Sequence, residues 1–69
     1  MTTADLLLER IHGVRGALAK VRAAHTSLSA LGATPANLAN LKKLAAMEHE
    51  LTQTLVELRA ELRRHQVHA

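Results

Sequence analysis

Cysteine, phenylalanine, tryptophan and tyrosine are all missing from this 69-residue chain, and proline occurs once. Without cysteine there is no disulfide framework, no thiolate nucleophile and no cysteine-ligated zinc site, and the composition suits a reducing cytoplasm. Without aromatic rings no base-stacking platform can be built. The hydrophobic content of 48% is therefore aliphatic, with two methionines. Long apolar runs are absent as well: charges recur too often for a membrane-spanning helix. The opening Met1-Thr2-Thr3-Ala4-Asp5 lacks the basic start of a secretory signal. A soluble, cytoplasmic protein is the expectation.

What is present is helix-forming and split once. Leu31-Gly32-Ala33-Thr34-Pro35-Ala36 carries three boundary signals in order. A Gly suits the left-handed position after a helix, a Thr suits an N-cap, and a Pro suits the first helical turn. The spacing predicts one helix over about residues 3–31, a turn over 32–35 and a second helix over about 35–66, all within a single unit spanning 1–69. Gly13 and Gly16 weaken the first helix by roughly 1 kcal/mol each relative to Ala, which leaves room for a bend or fraying there, but the segment is read as helical. No stretch alternates as a strand would.

The heptads say how the helices meet. In the first, Ala4, Leu7, Ile11, Val14, Leu18, Val21, His25 and Leu28 follow one another in steps of three and four. Leu41, Leu44, Glu48, Leu51, Leu55, Leu58, Leu62 and His65 do the same in the second. These are the a and d positions of a coiled-coil seam. Folding at the turn pairs 28 with 41, 25 with 44, 21 with 48, and so on to 4 with 65; every pair sums to 69. The expected fold is thus an all-α, two-helix antiparallel coiled-coil hairpin, with assembly into a larger helical bundle as a further option. The same register sets Arg10 beside Glu61 as a plausible flanking ion pair, and places His25 and Glu48 in adjacent layers. There they could hydrogen-bond to each other or reach water from the seam edge and so fix the register, with a pH-sensitive His25 that controls hairpin opening as the alternative.

One flank of the seam, formed by the g positions, carries Ala17, Ala24 and Leu31 of the first helix and Met47 and Thr54 of the second. Small side chains let another helix approach closely, and methionine adapts to varied surfaces. This strip is the expected partner-binding surface. A chain this short builds a core that supplies little net stability by itself, which also points to a partner. The opposite flank, at the e positions, gathers Arg15, Arg22 and Arg59. Nine Lys and Arg against six Asp and Glu give a net charge of +3 and a pI near 10.2. An acidic partner or nucleic acid must therefore be weighed, although cations scattered in this way read first as a solvated face.

Catalytic and metal-binding arrangements are weak. His65 and His68, or Glu48-His49-Glu50, could offer a divalent ion two ligands, where a held site needs three or four. Ser27 and Ser29 near His25 lie on a helix surface with no oxyanion pocket. Gly13-Val14-Arg15-Gly16 matches a nucleic-acid clamp loop only as a string, because the sheet that loop requires is missing. No enzyme, no cofactor and no metal site are expected.

The length, the two-helix pattern, the Gly32-Ala33-Thr34-Pro35 turn and the following Leu38, Leu41 and Met47-Glu48 resemble the small needle-subunit co-chaperones of bacterial type III secretion systems. The resemblance covers the turn and the first half of the second helix; aligning Met47-Glu48 needs a one-residue shift, and the lack of aromatics departs from that family's pattern. It implies a cytoplasmic hairpin that binds a helical-repeat chaperone, the two together keeping a needle subunit monomeric before export. The functional expectation is a protein-binding adaptor or co-chaperone whose partner is another, helical protein chain. Self-assembly into a structural bundle is the first alternative, and a small basic nucleic-acid-associated protein the second.

Overall fold

Both helices begin at a threonine. In the computed structural model, which describes residues 2–32 and 34–67, α1 spans Thr3–Ala30 and α2 spans Pro35–Val67. The Thr2 hydroxyl accepts a hydrogen bond from the Asp5 amide at 3.1 Å, and the Asp5 carboxylate accepts one from the Thr2 amide at 3.1 Å. This reciprocal capping box satisfies two amides that the first helical turn leaves without partners. Thr34 caps α2 with its hydroxyl alone, which accepts from the Asn37 amide at 3.2 Å. Pro35 follows at the first helical position, where an N–H would have no partner within the helix.

The chain leaves α1 at Leu31, whose amide donates to the Leu28 carbonyl, while the Gly32 amide donates to the Ser29 carbonyl. Gly32 then takes φ +98°, a conformation that a side chain would strain. The Asn37 side-chain amide reaches back to the Gly32 carbonyl at 3.2 Å, tying the turn to the start of α2. Ala33 of the expected turn lies outside the described residues. The helix read through Gly13 and Gly16 is present, and α1 runs unbroken through both. A glycine removes packing and raises chain entropy, but it leaves the backbone hydrogen-bond ladder intact.

The helices pack against each other as an antiparallel pair, giving a rod of 52 × 16 × 13 Å. The long dimension is what about 33 residues at 1.5 Å rise would span. Leu7, Ile11, Leu18, Leu55 and Leu58 form the buried cluster, with Val14, Leu51 and Leu62 packed against it, and Val21 is buried as well. All of these are seam positions, so the helices bury the faces read from the heptads, and the Arg22–Glu48 contact fits their register. Towards the turn the seam is less closed: His25, Leu28, Leu41 and Leu44 are half-buried. At the far end Ala4 is half-buried and His65 exposed, so the outermost layer is open. Among the described residues, no helix is long and apolar enough to cross a membrane.

Candidate functional site

With one seam buried, each helix keeps the rest of its circumference for other work, and the two flanks differ. On the g flank, Ala17 is half-buried, while Ala24, Leu31, Met47 and Thr54 are exposed. Leu31 is 74% and Met47 47% accessible, high for side chains of their size. The Thr54 hydroxyl donates to the Glu50 carbonyl at 3.0 Å, so this residue spends its polarity on its own helix and offers the flank chiefly a methyl group. The residues expected to form a partner strip therefore lie on one flank, mostly open to solvent.

The e flank is concave. Arg15, Ala19 and Arg22 of α1 make one wall of a groove of about 440 Å³, and Thr52, Val56 and Arg59 of α2 make the other. Leu18 and Leu55, both buried in the seam, form its floor. The walls share one spacing, i, i+4, i+7, which is how a helix aligns three side chains along a face. The Thr52 hydroxyl donates to the Glu48 carbonyl at 2.8 Å, leaving little but its methyl for the groove. The middle of each wall is apolar, through Ala19 and Val56, and guanidinium groups stand at the ends.

One of those guanidinium groups has a partner. Arg22 Nε lies 3.1 Å from Glu48 Oε1, in a partly exposed ion pair that is also a hydrogen bond. The register explains it: Val21 pairs with Glu48 across the seam, so Arg22, one residue on, is level with the carboxylate. Among the described residues, two of the contacts weighed from the sequence are not the ones made: the ion pair formed is Arg22 with Glu48 and not Arg10 with Glu61, and Glu48 turns outward to Arg22 instead of bonding His25. A carboxylate at a seam position gains a charge-assisted hydrogen bond from a guanidinium at the seam's edge, where water still reaches both groups. Arg15 and Arg59 line the groove with no acidic group beside them in its walls.

No family model, curated protein or solved structure matches the chain.

The chemistry available is therefore read from the surfaces themselves. Among the described residues, no group of three or more histidine, aspartate or glutamate side chains could hold a metal ion; His68, one of the weak ligand candidates, lies outside them. Ser27 and Ser29 are exposed on α1, with His25 half-buried. Asp5 has its carboxyl held below the usual carboxylate range, first by the Thr2 backbone amide and then by the Thr2 side chain; this belongs to the helix cap. Heptad reading located the three arginines on one flank but missed Ala19 and Val56. Both occupy b positions, which a search for a and d residues assigns to the outer face. Their i, i+4, i+7 spacing from Arg15 and Thr52 was the signal that could have revealed the groove.

Proposed function

We propose that this hairpin is a protein-binding adaptor or co-chaperone that lends a partner chain an apolar helical face, with the g-flank strip of Ala17, Ala24, Leu31, Met47 and Thr54 as the docking surface. The observation that carries this reading is the mismatch between what the hairpin buries and what it exposes. Six aliphatic side chains form its buried core, while Leu6, Leu8, Leu31, Leu38, Met47 and Val56 remain exposed. Single exposed aliphatics are ordinary. Here, however, Leu31 and Met47 share a flank with alanines beside the half-closed layers of Leu28, Leu41 and Leu44, where a third helix would complete the burial that α1 and α2 leave unfinished. At about 25 cal/mol per Å² of apolar area, such burial would add stability the isolated hairpin lacks. The resemblance to needle-subunit co-chaperones supports a helical-repeat chaperone as that partner.

Mass and stability in solution test this reading. The adaptor should sediment as a monomer at micromolar concentration and melt at a markedly higher temperature when its partner is present, because a ligand that binds only the folded state stabilises it. A stable homodimer or tetramer would instead make self-assembly the function, by closing a four-helix or larger bundle.

A further inference from the structure

We infer that the arginine-rimmed groove on the e flank is a second docking site, and that its occupant is an acidic amphipathic helix of a partner protein, with aliphatic side chains on one face and Asp or Glu along its edges. This goes beyond the adaptor reading: it concerns the other side of the hairpin and stands whether or not the g flank binds anything.

The groove has two chemistries in fixed relation. Its floor and the middle of its walls are aliphatic: Leu18 and Leu55 below, Ala19 and Val56 at the sides. Val56 is 58% exposed, so its apolar surface is available to an occupant and not already used by the fold. The rim is cationic, with Arg15, Arg22 and Arg59 and no carboxylate in the lining. Arg22 is engaged by Glu48, which leaves Arg15 and Arg59 as the charges an occupant must answer. A neutral apolar helix would fill the floor but strip water from two guanidinium groups without replacing it. A helix with carboxylates at its edges supplies that replacement, and arginine at a rim can keep its charged head in water while its methylene stem covers apolar surface.

The dimensions suit a helix. By the register in which paired seam positions sum to 69, Arg59 stands level with residue 10 of α1. The three arginines therefore spread over about 12 residues, roughly 18 Å or a little over three helical turns. Polynucleotide fits less well, because phosphate contact needs no apolar floor and nothing in this aromatic-free groove can stack a base. A second copy docking groove to groove would set arginine against arginine.

The test uses the full-length chain and three fluorescent probes: a 21-residue helical peptide with a leucine seam and glutamate edges, the same peptide with lysine edges, and a short DNA duplex. The glutamate peptide should bind, with affinity falling as salt rises. The lysine peptide should not bind. Reversing both free rim charges (R15E with R59E) should weaken the glutamate peptide by at least about tenfold, and V56D should do the same by placing a carboxylate inside the groove. Both variants alter exposed positions, and circular dichroism is the check that each remains helical. Ala24→Glu, on the opposite flank, should leave peptide binding unchanged, which separates this site from the adaptor strip. Equal binding of both peptides, binding of the duplex alone, failure of the glutamate peptide to bind, or loss of its binding in A24E but not in R15E/R59E would each overturn the proposal. So would salt-sensitive self-association that R15E/R59E abolishes while the peptide remains unbound.

Discussion

Leu55 and Val56 are neighbours in one helix, yet they should respond to the same truncation in opposite ways. Leu55 is 8% exposed and belongs to the buried cluster with Ile11 and Leu58; Val56 is 58% exposed on the groove wall. Leu55→Ala removes three carbons from a layer that two helices can close only by moving together, and such a truncation costs about 2 to 5 kcal/mol. A domain of this size has roughly 0.05 to 0.15 kcal/mol of stability per residue, so about 3 to 10 kcal/mol in total. With a core of six buried side chains, each still slightly exposed, the hairpin belongs near the lower end. Leu55→Ala should therefore lower Tm by about 10 °C at the least, and can leave the chain largely unfolded at room temperature. Val56→Ala removes little buried surface and replaces a β-branched residue with the best helix former, so it should be neutral or stabilising by a few tenths of a kcal/mol. Thermal and urea melts followed by circular dichroism measure both variants. If Leu55→Ala melts within about 0.5 kcal/mol of the parent, or Val56→Ala is as damaging as Leu55→Ala, then the seam does not hold the hairpin together in the way described.

The glycines should also divide. A methyl added at Gly13 or Gly16 meets open space, so Gly13→Ala and Gly16→Ala should each stabilise by about 0.4 to 1 kcal/mol, whereas Gly32→Ala, at φ +98°, should cost about 1 to 2 kcal/mol; the same melts decide. Asp5 has a depressed carboxyl pKa in the folded chain, so its contribution is complete above the ordinary carboxylate value and disappears as pH falls through the lower, folded value. Amide protection at the start of α1, taken relative to the intrinsic exchange rate at each pH, should fall over that acidic window, and Asp5→Asn should remove this change in protection. A double-mutant cycle on Arg22 and Glu48 should give at most about 1 kcal/mol of coupling, because the pair is exposed and screened, and high salt should abolish it. On the functional side, Ala24→Glu should abolish association at the g flank while leaving the chain helical, and replacing Arg15 and Arg22 with Gln should mainly slow encounter with an acidic partner; the reverse pattern would assign the function to the basic flank.

The parts of the fold that were legible in the sequence are those governed by local periodicity and turn chemistry. Steps of three and four from Leu7 to Leu28 and from Leu41 to Leu62 specify which stripe each helix buries, and Gly32 with Thr34 and Pro35 specifies where the chain reverses; together they leave one in-phase pairing. The capping box at Thr2 was not read from the sequence, although its signal, Thr2 followed three residues on by Asp5, is equally local. The ion pair was harder to read. Arg10, Arg22, Glu48 and Glu61 carry long side chains with many rotamers of similar energy, so proximity by register permits several pairings and local solvation chooses among them. The groove was harder still, because concavity arises from side-chain size at Ala19 and Thr52, positions that a heptad reading treats as outside the interface. The g-flank residues kept the positions that periodicity assigned them, but a flank's openness is not a partner, and no pattern in one chain encodes what covers it.

Photo-crosslinking in the native cell tests the central claim most directly, with a photoreactive residue replacing Ala24 on the g flank and, as a control, its exposed neighbour Ala23 on the outer face of α1. The account predicts a discrete adduct from position 24, heavier than two copies of the 7.5 kDa chain, containing one other protein, and no such adduct from position 23. An adduct of two chains only would transfer the claim to self-assembly, and equal labelling from both positions, or none from position 24, would contradict it.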